Sequence, residues 1–400
     1  MPPRASTVRR RSLAAGAAGI LAATVAMPAA PGGAATPPAP RLRELAAGGF
    51  SAYALGVNGE VWAWGDDMEG QLGNGSVNTA SDVSLRVVGV RRASALAASD
   101  NTAYALGEGG TVWAWGDDGQ GQAANGRTAY SQRRPEVISH LSGVTEVAAG
   151  GYSAYALGTG DRVWAWGDNS MGQLGTSLSV NGEVFPHQMA RLAGVEHLIA
   201  GESTAYALRK GGTVWAWGDD SFAELGRRLS TPASPEPLRL PRLRGVVMIA
   251  ASAFTGFALA RGGTVWAWGD GSFGLLGANQ CGLRPRHKCL SSPEPVRVSG
   301  LGHVVAIAAG GRSAYALGAD GTVWAWGDNS YGQLGDGTTK ASTKPERVAR
   351  LRHVVSIAAG GSAGYALEAD GTVWAWGDNS YGQLGNGTTV SSATPVRVRL

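Results

Sequence analysis

The stretch Trp164-Ala-Trp-Gly-Asp-Asn-Ser-Met-Gly-Gln-Leu-Gly175 decides the fold, because its opening tetrapeptide is not unique. It recurs seven times, as Trp62/Trp64, Trp113/Trp115, Trp164/Trp166, Trp215/Trp217, Trp266/Trp268, Trp324/Trp326 and Trp374/Trp376, and uses all 14 tryptophans of the 400-residue chain. The first five copies start 51 residues apart, the next gap is 58 and the last is 50. A fixed period of this length marks a repeat architecture. Near-copies of one unit imply a scaffold, so function is expected where the copies differ.

Each unit reads as a small antiparallel sheet. In the third, Val147-Ala-Ala-Gly-Gly151 is a run of small residues, Ser153–Leu157 and Val163–Trp166 are strand candidates, and Gly167–Gly175 is a loop. Between the two strands lies a tight turn with equivalents at Asn58-Gly59, Gly109-Gly110, Gly160-Asp161, Gly211-Gly212, Gly262-Gly263, Asp320-Gly321 and Asp370-Gly371. Such pairs tolerate the positive φ of two-residue hairpins. A proline keeps register downstream: Pro135, Pro186 and Pro237 fall 22 residues after the first Trp of their units, Pro345 and Pro395 fall 21 after, and Pro295 falls 29 after. Ser84 holds the place in unit one. Proline cannot donate a ladder hydrogen bond, so a fourth strand beginning there belongs on the sheet edge. Seven four-stranded sheets arranged radially cover each other's faces, which predicts an all-β, seven-bladed propeller over residues 42–400. The two Trp of a unit are two apart and share a face. They are expected in the inter-blade core, with a light-sensing cluster or a ligand cage as alternatives.

The string Trp326-Gly-Asp-Asn-Ser-Tyr-Gly-Gln-Leu-Gly-Asp-Gly337, with Ile307-Ala-Ala-Gly-Gly311 and Tyr315-Ala-Leu317 upstream, resembles the regulator of chromosome condensation (RCC1) repeat. The resemblance covers residues from about 42 to 400 and implies a seven-bladed propeller of about 51-residue repeats. Kelch propellers have a similar period but lack the Gly-Gln-Leu-Gly loop. Two units drift, with Gly121-Gln-Ala-Ala-Asn in the second and Ala223-Glu-Leu-Gly226 in the fourth. The family commonly carries His before the second strand; here Ser51, Thr102, Ser153, Thr204, Thr255, Ser313 and Ala363 stand there. A hydroxyl can still bond backbone, whereas a function of the imidazole does not carry over. Nor does the nucleotide-exchange activity of the family's nuclear founder, since no long insertion offers an exchange wedge.

Residues 1–40 lie outside the repeats. Arg9-Arg-Arg-Ser-Leu13 precedes an Ala-rich stretch without charge until Arg41. This is the layout of a signal peptide over residues 1–35, of twin-arginine type, with a Sec signal or an uncleaved anchor as alternatives. Residues 36–41 form a short Pro/Ala leader, and the expected location is extracellular, in a bacterial host. The formal charge of +4 comes from Arg4, Arg9, Arg10 and Arg11, and residues 36–400 carry 30 basic and 30 acidic side chains. That balance is no nucleic-acid footprint. The two cysteines, Cys281 and Cys289, share the extended loop of unit five and are expected to form a local disulfide, metal binding being the alternative.

Enzyme-like strings carry little weight here. Gly269-Asp-Gly-Ser-Phe-Gly274 fits a dinucleotide pattern and Gly360-Gly-Ser-Ala-Gly364 a nucleophile elbow, but both fall in repeat loops with no helix to follow. None of His140, His187, His197, His287, His303 and His353 forms a metal-ligand spacing. Asp66, Asp117, Asp168, Asp219, Asp270, Asp328 and Asp378 each follow a Trp-Gly, and seven equivalent copies suggest caps for loop amides. A calcium role is the alternative. No cofactor, metal or catalytic residue is predicted.

The residue after the small-residue turn varies most: Phe50, Asn101, Tyr152, Ser203, Phe254, Arg312 and Ser362. Chain direction puts this turn and the Gly-Gln-Leu-Gly loop on one face. These seven side chains should ring the central opening, either recognising a partner or plugging the channel mouth. The function read from the chain is non-enzymatic: a monomeric exported propeller that binds a protein or cell-surface ligand, with membrane contact only as an export route. Fold and export also resemble the actinobacterial β-lactamase inhibitory propellers, which implies contact through Phe50, Tyr152 and Phe254. A structural envelope protein and an enzyme with a channel-mouth site remain the competitors, though no clustered acids, His or metal set is visible in non-equivalent loop positions.

Overall fold

The computed structural model describes residues 41–76, 79–190, 192–278 and 291–400. The expected leader and signal segment, and the proposed Cys281–Cys289 disulfide, lie outside these residues. The chain forms seven four-stranded antiparallel sheets, each of four consecutive strands in sequential order. Blade 1 consists of β1 (Leu42–Ala47), β2 (Ser51–Gly56), β3 (Val61–Asp66) and β4 (Ala80–Arg86). The others span 93–137, 144–188, 195–239, 246–297, 304–347 and 354–397. Among the described residues a single 3₁₀ turn, Ser272–Gly274, interrupts this all-β pattern. First strands touch first strands all round the ring, including blade 7 against blade 1, so they line the axis. Fourth strands form the rim.

The second Trp of each pair locks a seam. Its Nε1 donates to a loop carbonyl of the preceding blade, from Trp115 to Gln71 through Trp376 to Gln333, at 2.7–2.9 Å in all seven blades. In six blades the same carbonyl also accepts the hydroxyl of its own blade's second-strand tyrosine, as Tyr155 to Gln173. That ring meets the next blade's Trp edge-on, with centroids 5.8–6.3 Å apart; Phe257 takes the tyrosine's place in blade 5. These second tryptophans are fully buried. The first Trp of most pairs is half-buried, nearer the hairpin end of the strand.

Ring closure repeats this joint. Trp64 Nε1 donates to the Gln383 carbonyl at 2.9 Å, and Gly387 N–H reaches the Asp82 carbonyl at 2.8 Å. The C-terminal strand, Ser392–Arg397, pairs with Val373–Gly377 of its own blade. Beyond that strand, the Arg399 carbonyl also reaches blade 1, accepting from Ser84 Oγ at 2.9 Å. Among the described residues no strand is exchanged between the terminal blades.

Two local expectations need correction. The hairpin loops have three residues, not two, with 159–161 closed by the Gly158–Arg162 pair. The last loop residue is left-handed in every blade, glycine in six and Asp161 (φ 60°) in the other. A three-residue loop ending in this conformation suits the twist of the paired strands. The register prolines lie inside the fourth strands, as Pro186 within Ser179–Gln188, rather than opening them. Pairing shifts beside them, between Ala165↔His187 and Gly167↔Glu183, so each occupies an irregular edge where its missing N–H costs nothing.

Candidate recognition face

The turn between first and second strands and the loop after the third strand are clipped together. The N–H of the loop's first Asp donates to the turn residue's carbonyl, as Asp66 to Phe50 and Asp168 to Tyr152, at 2.8–3.0 Å in all seven blades. That Asp caps the loop as expected. Its Oδ1 accepts the N–H two residues on, from Met68 in blade 1 to Ser380 in blade 7, at 2.9–3.2 Å. The hydroxyls that replace histidine are also structural. Thr102, Thr204 and Thr255 donate to the Asp carbonyls of their own loops, and Ser51, Ser153 and Ser313 bond the hydroxyls of Tyr53, Tyr155 and Tyr315. Among the described residues no group of three or more His, Cys, Asp or Glu is placed to hold a metal.

The seven variable turn residues share this face. Phe50, Tyr152 and Arg312 are exposed; Asn101, Ser203, Phe254 and Ser362 are half-buried. They do not plug the channel. A narrow axial cavity of ≈ 60 Å³ is lined instead by the residues just before them, among them Gly48, Asp100, Gly151, Glu202, Gly311 and Gly361. Glycine is needed here for close approach: a Cβ on Gly310 would stand 2.0 Å from the Gly360 carbonyl oxygen.

Sequence reasoning missed a second ring. The residue before the loop's next glycine or Ala223 is Glu69, Gln120, Met171, Phe222, Phe273, Tyr331 or Tyr381, and the last five are exposed. Three of them pair with the turn residue of the next blade: Phe222 with Phe254 at 5.1 Å, Tyr381 with Phe50 at 5.2 Å, and Phe273 under the Arg312 guanidinium at 4.8 Å. The result is an aromatic band over blades 4, 5, 6, 7 and 1. Its signal was present as one more variable position in the repeat, and only the cross-blade pairing gives it meaning.

Blades 2 and 4 also carry acid. Asp100 and Glu202 occupy the turn position where other blades have Gly or Ala, and both line the axial cavity. The absence of clustered acids expected from the sequence is thereby corrected. Burial raises the Glu202 carboxyl, and the charges of Asp100 and Asp219 add to it. Asp100 is an exposed residue, and the protein packed around its carboxyl raises it above the usual range. Burial raises the Tyr152 phenol, helped by Asp100, Glu202, Asp117 and Asp168. Outside the axis, Glu69, Asn101, Asp117, Gln120 and Tyr152 line a notch of ≈ 390 Å³.

Fold and face together define a propeller scaffold with a repeated frame and one variegated surface. The sequence model described as "RCC1-like domain" matches residues 14–287 and 193–400, and the chain belongs to that family. It is 32% identical over 317 residues to the human E3 ubiquitin-protein ligase HERC2, covering 74% of this chain but only 6% of that protein. It is 29% identical over 306 residues to the mitochondrial RCC1 domain-containing protein RUG3 of Arabidopsis thaliana, covering 72% of this chain and 65% of that one. Among solved structures it is similar to human WBSCR16, with TM-score 0.76, 22% identity, and 85% and 94% of the two chains covered. It is also similar to yeast Prp20p, described with its binding to Gsp1p and histones, with TM-score 0.70, 22% identity and 80% of each chain covered. The solved structures share the fold, and the likeness to HERC2 is confined to a small part of that ligase.

Proposed function

We propose that the chain is an exported, non-enzymatic recognition scaffold that holds a protein or cell-surface ligand on its turn face. The carrying observation is the aromatic band of exposed Phe222, Phe273, Tyr331, Tyr381 and Phe50, with half-buried Phe254 against Phe222, across adjacent blades. Aromatic side chains present large area at low entropic cost and anchor interfaces far more often than other types. So many exposed aromatics on one face are unusual unless they are used. Family membership fits, since Prp20p is described as a protein binder. Export rests on the arginine-led, Ala-rich opening of the chain.

The test is affinity capture from the host's lysate and culture fluid with the wild-type chain and a folded Phe50/Tyr152/Phe254→Ala variant. A second variant, Phe222/Tyr331/Tyr381→Ala, probes the outer ring. A protein retained by the wild type and lost by either variant supports the reading. Equal capture by all three sinks it. Loss of the first 35 residues from chain recovered in culture fluid checks the export half.

A further inference from the structure

We infer that the partner of this face is a protein segment bearing a basic side chain flanked by apolar residues, with the cation entering the axial cavity between Asp100 and Glu202. The inference rests on the docking role proposed above and names the chemistry of what docks. Three observations converge on the same place. Asp100 and Glu202 sit on blades 2 and 4, either side of Gly151 of blade 3, and both line the cavity. Glu202 lies over Gly151, where a Cβ would meet its Cγ at 2.9 Å, while the Asp100 carboxylate leans toward blade 1, 3.3 Å from a Cβ placed on Gly49.

Neither carboxylate has an internal partner. Among the described residues the ion pairs are Arg86–Glu60, Arg92–Glu108, His197–Glu146, Lys210–Asp161 and Arg242–Glu294, all elsewhere, and no hydrogen bond reaches either side chain. Asp100 is exposed and Glu202 half-buried, so both can be reached from outside, and the Asp100 charge disfavours the charged form of Glu202. A repeat that accepts Gly or Ala at this position in the other five blades does not need acids there for folding.

The size and surroundings select the ligand. A cavity of ≈ 60 Å³ has room for an ammonium or guanidinium head, not for a folded segment. Tyr152 stands beside it among four carboxylates, Asp100, Glu202, Asp117 and Asp168. Its ring offers a face to a cation or to an alkyl stem. The notch lined by Glu69, Asp117 and Tyr152 extends the negative sector outward, opposed at its edge by Arg133 near Glu69. On the far side of the opening the aromatic band receives apolar neighbours. Complementarity of this sort sets orientation as well as attraction.

The experiment is fluorescence anisotropy of the full chain with two dye-labelled peptides: one with arginines between leucines, and a matched one with glutamates for the arginines. The proteins are wild type, Asp100→Asn/Glu202→Gln, and Phe222→Ala/Tyr381→Ala. The acid-neutralised variant loses a repulsion, so its thermal melt should equal or exceed that of the wild type. We expect the wild type to prefer the arginine peptide by at least about tenfold, and the acid-neutralised variant to lose about tenfold for that peptide only, with a shallower salt dependence. Arginine-peptide binding unchanged by the acid substitutions overturns the inference, as does its absence in the wild type. Displacement of the peptide by millimolar calcium, beyond an equal ionic strength of sodium, would also overturn it in favour of a metal ion. If the aromatic variant weakens both peptides while the acid variant changes neither, the docking face stands and its basic occupant falls. If neither variant matters, both readings fail.

Discussion

The seams between blades and the turn face are built from the same loop, yet they obey opposite rules. At the seam, one loop carbonyl accepts a Trp Nε1 from the next blade in all seven joints, including the closing one. On the face, the neighbouring residue of that loop is Glu, Gln, Met, Phe or Tyr. The seam has no freedom because each indole is enclosed and its N–H must find an acceptor. The face is solvated on one side, so almost any residue fits and selection for a partner can act there. A repeat protein thus separates stability from specificity within a few residues.

The sharpest way to break this comparison is at a seam. Trp217 is fully buried, packs against Tyr155, and donates to the Gln173 carbonyl at 2.7 Å. Trp217→Ala should cost about 3–5 kcal/mol, read from denaturant unfolding. A cost near zero would mean that the joints are not what holds the ring.

Blade 4 offers the converse, a seam that is imperfect as built. Where four blades have a Gln donating Nε2–H to the first Asp of the loop, as Gln173 to Asp168 at 2.7 Å, blade 4 has Glu224. Its Oε2 accepts the Phe222 N–H at 2.8 Å, but its buried Oε1 has no partner, and Asp219 and Asp220 are close enough to repel it, with Arg227 beside Asp220. Burial, then those charges, push the carboxyl from 4.5 to about 8. Below that pH the folded protein keeps a proton that the unfolded chain has lost above 4.5. Stability should therefore fall as pH rises from 4.5 through about 8. Glu44, raised by burial to about 8, adds to the same slope. Glu224→Gln should reduce the slope and stabilise the protein at pH 8 by about 1–3 kcal/mol. Thermal melts of both proteins across that range check it; parallel profiles would refute it.

A smaller effect belongs to the clip that joins seam to face. Asp168 accepts from Ser170 N–H at 3.0 Å, Ser170 Oγ at 2.8 Å and Gln173 Nε2 at 2.7 Å. Asp168→Ala should cost about 1–2 kcal/mol, and Asp168→Asn less, because the amide oxygen can still cap Ser170. Equal losses would show that geometry is not what the Asp supplies. The smallest effect is on the face itself. Tyr331 is half exposed, and Tyr331→Ala should move stability by no more than about 0.5 kcal/mol. A large loss would make the aromatic band structural and remove its claim to a partner.

The blade count, strand order and capping aspartates were legible because each depends on contacts within one repeat, and a feature written seven times cannot be mistaken for chance. Loop length at the hairpins was misjudged because glycine pairs serve two- and three-residue turns alike. The turn positions Phe50, Tyr152 and Arg312 were identifiable as variable and prove exposed. What no single repeat could show lies between repeats: that Phe222 meets Phe254 and Tyr381 meets Phe50 from adjacent blades, or that Asp100 and Glu202, about 100 residues apart, reach one cavity. By itself the sequence determined the blade, because period and alternation act over a few residues. The tertiary structure alone decided the seams, the closing joint and the make-up of the face, because ring closure sets which distant side chains share a surface.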